Sequence, residues 1–428
     1  MLSKEFLVPE HPMSEDCLYL NVWTAANSAK EKRPVFVWIY GGGFTTGGGA
    51  APAYNGEAMA KKGVVFVSFN YRLGIFGFYV HPELSSESPQ HASGNYGLLD
   101  QLAVLRWIQK NISAFGGDPG NVTIAGQSAG SISVNCLMAS PLAKGLFHRA
   151  IAESGTMVLP NPFIKMPLLA VAEQDGLKWA AEKKFSSISE MRKAPAKELT
   201  QTGMMMGLYG PIADGYLLPE PIPDIYAHEK QNHTAFLTGW NADEGIVVIY
   251  NNKEVFRKEA MQYGRDTSTF FKYYPASAEQ EAKASQMALS RDKMIGVSGY
   301  KWAELESNSS NAGTYLYYFT HNPPTADNRP KYGAYHTAEI GYALDNLKLI
   351  DRPWQPVDDS LSAIMSSYWI NFAKTGDPNG KGLPEWPKYD SWKNMVMVLS
   401  EKPKAEKLPN KEALDFLYSK FRTLNAKR

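Results

Sequence analysis

Asn121-Val122-Thr123-Ile124-Ala125-Gly126-Gln127-Ser128-Ala129-Gly130-Ser131-Ile132-Ser133 is the stretch whose reading decides the fold. Its apolar run, Val122 to Ala125, predicts a buried strand, and the small and apolar residues after Gly130 suit a helix. Between them lies Gly-x-Ser-x-Gly, and strand, turn and helix in that order are the context of a nucleophile elbow. The serine sits at the tip of a strained turn, so that its hydroxyl stands above a sheet. Glycines two before and two after it let strand and helix approach without a Cβ clash. The helix N-terminus leaves the Ala129 N–H free to face negative charge developing on a substrate oxygen.

Upstream, Pro34 introduces Val35 to Tyr40, a continuous apolar run suited to a central strand covered on both faces. It ends in Gly41-Gly42-Gly43-Phe44, where glycines allow backbone N–H groups to turn outward into a pocket. Cys17 to Trp23 alternates like a half-buried strand, and Val64 to Phe69 reads as another buried one. Leu98, Leu102, Leu105, Ile108, Ile112 and Phe115 recur at helical spacing and are closed by Gly116-Gly117. Strands alternating with helices imply right-handed crossovers and a largely parallel sheet. Ligands bind at the C-terminal ends of such strands, which is where the glycine triplet and Ser128 both fall.

Downstream, about 160–231 reads as helical stretches with scattered prolines. A strand at Ala235 to Thr238 then leads into Gly239-Trp240-Asn241-Ala242-Asp243-Glu244-Gly245. Helices over about 246–311 are expected to pack over the sheet as a cap. Tyr315 to Thr320 is a strand, and Leu361, Ile364, Met365, Tyr368 and Phe372 mark a long helix stopped at Gly376. An irregular tail follows Pro384, with one last strand at Val396 to Leu399. The expectation is a single α/β domain over 1–428, with helical insertions at about 160–231 and 246–311 and no internal repeats.

Lys and Arg number 44 against 43 Asp and Glu, a net charge of +1 that offers no case for nucleic acid or an anionic membrane. Apolar residues make up 44%, yet no window is long enough to span a bilayer, and the first residues hold no continuous apolar segment of the kind a secretory signal needs. Localisation is left open. Cys17 and Cys136 are too few for a disulfide framework or a structural zinc site, and two free buried thiols are expected. No metal or organic cofactor is implied.

A serine hydroxyl needs a base to take its proton, and the base needs a carboxylate to orient it. Along such a chain the order is Ser, acid, His. Asp214, Asp243 and Glu244 are the candidate acids, although Asp214 before Gly215 also suits a turn. Of eight histidines four follow Asp214. His228 and His233 precede the strand leading to Glu244 and read as surface residues, which leaves His321 and His336. The residues alone keep both bases, and both Asp243 and Glu244, in play.

The chain resembles the type-B carboxylesterases, which include cholinesterases and para-nitrobenzyl esterases. The matching stretches run in family order: SEDCLYLNV from Ser14, GGGF from Gly41, NYRLGIFGF from Asn70, GNYGLLDQ from Gly94, FGGDPGNVTIAGQSAGS from Phe115, NADEG around Glu244 and HTAEI from His336. The resemblance implies an α/β-hydrolase fold: a largely parallel central sheet flanked by helices, with helical cap insertions. It implies a small-molecule ester substrate, Ser128 as nucleophile, Glu244 as orienting acid and His336 as base. An oxyanion hole from the N–H groups of Gly42, Gly43 and Ala129 is implied as well. Relatives that keep the fold but lack the nucleophile act in adhesion, and some esterases specialise in hydroxycinnamoyl esters; the complete triad argues for an enzyme, and nothing in the sequence selects the ester. Two departures stand out. Only thirteen residues precede Ser14, where relatives have several tens, including a cysteine that pairs with the equivalent of Cys17. An exposed sheet edge near Cys17 to Trp23, with self-association through it, is therefore expected. Many relatives also have Glu before the nucleophile where this chain has Gln127, which weakens the case for cationic choline esters.

Overall fold

The computed structural model describes residues 14–160, 166–200, 209–245, 248, 250–326 and 332–425. Parts of the two expected helical segments, at 161–165, 201–208, 246, 247 and 249, lie outside the described residues. The strands are β1 (Leu20–Trp23), β2 (Arg33–Ile39), β3 (Val65–Phe69), β4 (Gly117–Gln127), β5 (Arg149–Glu153), β6 (Ala235–Asn241), β7 (Thr314–Phe319), β8 (Met395–Leu399) and β9 (Lys404–Lys407). They form one sheet in the order β1-β3-β2-β4-β5-β6-β7-β8-β9. The inner pairs from β3 to β8 are parallel, and only β1 on β3 and β9 on β8 are antiparallel.

Composition explains that split. β2 and β3 carry Val, Phe and Trp at successive positions and are buried on both faces, the requirement for a parallel strand sandwiched between helices. β9 is Lys-Ala-Glu-Lys with no buried residue, as an edge strand tolerates. Helix α1 (Tyr96–Asn111) buries Leu98, Leu102, Leu105 and Ile108 on one face, and a tighter turn, Ile112–Phe115, carries it to Gly116 in the left-handed region. Each of those aliphatic side chains stabilises the layer by roughly 1.5–3 kcal/mol relative to exposure. Helix α2 (Ala129–Ala139) is buried at every position, which its small residues permit. Helices α3 (Leu169–Glu182) and α4 (Ile222–Ala227) fall in the first expected helical segment. Helices α5 (Glu279–Arg291) and α6 (Val297–Ser309) fall in the second. Helix α7 (Pro356–Thr375) ends at Gly376, whose φ of 82° is a left-handed cap.

Three readings need correction. Strand β5 is absent from the sequence reading, because the five residues Arg-Ala-Ile-Ala-Glu are too few to show a period. The tail holds more than one last strand: β9 follows β8, and helix α8 (Lys411–Asn425) buries Ala413, Leu414 and Leu417. Cys17 is only half-buried, so Cys136 alone is a buried thiol. Both are free. Partial burial, then Asp100, holds the Cys17 thiol above its ordinary range and suppresses its thiolate. A thiol reagent should therefore titrate Cys17 slowly in the native protein and both cysteines after unfolding, without prior reduction. A single thiol in the unfolded chain would contradict this.

Candidate active site

Strands β2 and β4 lie side by side in parallel and end together, Ile39 beside Gly126. The chain after β2 and the elbow after β4 are thereby brought into contact. Ser128 has φ 58° and ψ −122°, a conformation that non-glycine residues rarely adopt. It is held there by its own backbone: Ser128 N–H donates to Glu153 O at 2.9 Å, and Ser128 O accepts from Ile132 N–H at 2.9 Å. The turn is also crowded. A Cβ on Gly130 would lie 2.0 Å from Ile39 O, and one on Gly126 would meet the Gly130 backbone at 2.6 Å. Glycine at both places is a packing requirement.

Gly42 and Gly43 follow β2 with φ 118° and 63°. Gly42 O accepts from the N–H groups of Thr45 and Thr46, both at 3.1 Å, which folds the loop back on itself. A Cβ on Gly41 would touch Ser128 Cβ at 3.0 Å, so the loop lies directly against the elbow. Ala129 begins α2, and the first backbone N–H groups of a helix have no partner within the helix.

The two carboxylates that the sequence left open point different ways. Glu244 is fully buried. Its Oε2 lies 2.5 Å from His336 Nδ1, and its Oε1 accepts from Asn241 N–H at 2.8 Å. Asp243 Oδ2 instead accepts from Ala334 N–H at 2.8 Å, and the backbones of Asp243 and Ala334 bond at 3.0 Å. Asp243 thus fastens the loop that carries His336, while Glu244 meets its ring. With an acceptor at Nδ1, the imidazole proton resides there and Nε2 is left as the basic nitrogen. His336 Nε2 is buried and has no hydrogen-bond partner among the described residues. Gln127 ties the histidine to the elbow, since its Nε2 donates to His336 O. A glutamate there has no donor for that carbonyl when ionised, a role for Gln127 beyond the lowered charge.

The other candidates are placed elsewhere. Asp214 Oδ1 accepts from the N–H groups of Tyr216 and Leu218, the turn geometry expected of it. His228 and His233 are exposed. His321 is buried with Nε2 2.7 Å from Asp358 Oδ1, which also accepts from Tyr342 OH at 2.6 Å. It anchors the start of α7. Sequence reasoning missed Asn241, whose Nδ2 donates to Tyr335 O at 2.8 Å and to Glu339 Oε2 at 2.5 Å. It also missed two buried carboxyls, Glu153 and Glu339. Glu339 stands in the HTAEI motif and Glu153 ends strand β5, but burial of a glutamate has no local signature.

Burial pushes the Glu153 carboxyl up to about 8, against the stabilising bond from Trp369 Nε1 at 2.8 Å. Glu339 is raised well above its ordinary value by burial, then by Glu153 and Glu244. The linkage sign follows. In the unfolded chain Glu153 loses its proton near pH 4.3, whereas the folded protein keeps it to about 8. The stabilisation it contributes is complete below the lower value and is lost as pH rises through the upper one. Glu153→Gln should flatten the fall in urea midpoint between pH 5 and 8, a slope of up to about 1.4 kcal/mol per pH unit from this group. Parallel curves for the two proteins would mean that Glu153 is ionised in the fold.

Comparison with known proteins accords with this architecture. Residues 2–417 match the profile of the Carboxylesterase family. Fumonisin B1 esterase of Sphingopyxis macrogoltabida is 37% identical over 400 residues, covering 88% of this chain and 71% of that protein. Liver carboxylesterase 1 of Oryctolagus cuniculus is 34% identical over 440 residues, covering 93% and 76%. The liver carboxylesterase of Sus scrofa is 34% identical over 442 residues, with the same coverage. The resemblance in the motifs, the α/β-hydrolase sheet and these relatives agree: the chain belongs to the carboxylesterase family and is a serine carboxylic ester hydrolase.

Proposed function

We propose that Ser128, His336 and Glu244 are the catalytic triad of this esterase, and that the N–H groups of Gly42, Gly43 and Ala129 form its oxyanion hole. The observation that carries the reading is the Glu244–His336 bond of 2.5 Å, which leaves Nε2 free on a loop tied to the elbow through Gln127. Ser128 Oγ attacks the ester carbonyl carbon while its proton passes to His336 Nε2. The carbonyl oxygen, now an oxyanion, takes hydrogen bonds from the backbone donors. Collapse breaks the ester C–O bond, and His336 returns the proton to the departing alcohol. Water then attacks the acyl-enzyme by the same route, releasing the acid and restoring Ser128. The whole sequence runs in one hydrolase domain, with the helical segments at about 160–231 and 246–311 flanking the sheet.

The substrates are neutral carboxylic esters. Gln127 supports this choice, because it replaces an ionisable neighbour of the nucleophile with an amide already bonded to His336 O. A panel of 4-nitrophenyl esters of increasing acyl length, with a hydroxycinnamate ester, fumonisin B1 and a choline ester, tests the assignment. Hydrolysis of the neutral esters with poor turnover of the choline ester is expected; preference for the choline ester would overturn it. Self-association through the outer edge of β1 is the accompanying proposal. Leu18 and Tyr19, just before that strand, are 50% and 60% exposed. Light scattering that shows a monomer at all concentrations would dismiss it.

A further inference from the structure

The ends of α5 and α6 are joined by a π-turn, Asp292–Gly296, in which the helix holds an extra residue. Such bulges re-aim side chains and recur at functional sites. Here the turn sets Arg291 and Asp292 into the interior, with side chains 8% and 2% exposed. Arg291 Nε donates to Asp292 Oδ1 at 2.6 Å, and Asp292 Oδ2 accepts from Tyr274 OH at 2.9 Å. The guanidinium then has a second arm to spend. Its Nη1 donates to Tyr318 Oη and to Ala242 O, both at 3.0 Å.

Ala242 O belongs to the peptide that joins Ala242 to Asp243, and the N–H of that same peptide donates to Ala334 O at 3.0 Å. Ala242 N–H is in turn bonded to Phe319 O at 2.9 Å. One peptide plane is thus clamped between Arg291 on one side and the His336 loop on the other. Glu244 follows it by one residue. Turning this plane would move Glu244 relative to His336 Nδ1, where the 2.5 Å contact allows little error.

We infer that Arg291 is a positioning residue for ester hydrolysis: it fixes the Ala242–Asp243 peptide and thereby holds Glu244 against His336. The inference rests on the triad reading above. Stability alone is a poor reason for the arrangement. A buried ion pair costs desolvation of both charges, and apolar residues of similar volume often serve the fold equally well. What an apolar pair lacks is a rigid fork that reaches a carboxylate and a distant carbonyl at once.

The same fact supplies the test. Arg291→Met with Asp292→Leu removes both charges together and leaves neither one buried alone. The double variant, Glu244→Gln, and the two combined are assayed with 4-nitrophenyl butyrate, with thermal midpoints measured alongside. The double variant is expected to fold and to lose at least about tenfold in kcat, with KM held within about twofold. In the Glu244→Gln background the same change is expected to cost less than about twofold, because its route of action is already broken. Wild-type kcat in the folded double variant, or the same full loss in both backgrounds, overturns the inference. Should the double variant fail to fold, Arg291→Lys keeps a charge beside Asp292 but gives up the fork. It is expected to lose kcat alone, and wild-type kcat there overturns the inference equally. Wild-type turnover in Glu244→Gln would instead defeat the triad reading, and this inference with it.

Discussion

Ser128→Ala is expected to lower turnover of 4-nitrophenyl butyrate by about 10³-fold or more, with the thermal midpoint hardly changed. The fold survives because the bonds that hold the turn are made by backbone. Ser128 N–H still donates to Glu153 O, and its carbonyl still accepts from Ile132 N–H. Alanine also inherits the same strained conformation, φ 58° and ψ −122°, so that strain is not relieved. Glycine would relieve it. Ser128→Gly should be equally inactive yet more stable, by roughly 1–3 kcal/mol of strain less about 0.5–1 kcal/mol of added unfolded-state entropy. A fluorophosphonate probe should label the wild type on Ser128 and leave both variants untouched, as read by peptide mass spectrometry. A label on another residue, or full activity in either variant, would move the nucleophile elsewhere.

Glu244→Gln is expected to cost about 10³–10⁴-fold in kcat, and Asp243→Asn less than about tenfold. The reason lies in what each oxygen faces. Glu244 Oε1 accepts from Asn241 N–H and Oε2 meets His336 Nδ1. An amide can satisfy the Asn241 N–H only by turning its oxygen there, which directs its NH2 group at His336. Nδ1 must then be the acceptor, the proton moves to Nε2, and the base that Ser128 requires is lost. Asp243 makes one bond that matters here, from Ala334 N–H, and the oxygen of an asparagine accepts it as well. Steady-state kinetics of the two variants side by side decide the matter. Equal losses, or the reverse ranking, would reassign the acid.

The parts of the molecule that could be read without coordinates are those written in local pattern. Val35 to Tyr40 is apolar at every position and Val64 to Phe69 at every position but Ser68, a density that a strand covered on both faces accommodates. The helical period from Leu98 to Ile108 survives as the buried face of α1. The glycines of the elbow carry a steric requirement that holds wherever strand and helix cross so closely. Strand β5 and helix α8 escaped for opposite reasons. Five residues, two of them alanine, are too few to display a period, whereas Leu414, Leu417 and Phe421 do recur at helical spacing but follow a proline-containing tail that reads as irregular.

What sequence could not choose was direction. Asp243 and Glu244 are adjacent and chemically alike, and both candidate histidines follow strand β7. Only the folded chain brings Ala334 N–H to one carboxyl and His336 Nδ1 to the other, and gives His321 to Asp358. The same holds for Glu153 and Glu339, whose raised carboxyl pKa values come from burial that no neighbouring residue announces. Secondary structure and tight turns follow from interactions a few residues long, so the chain specifies them itself. Which polar atom faces which across tens of residues is set by how the sheet stacks its strand ends, and that is decided only in three dimensions.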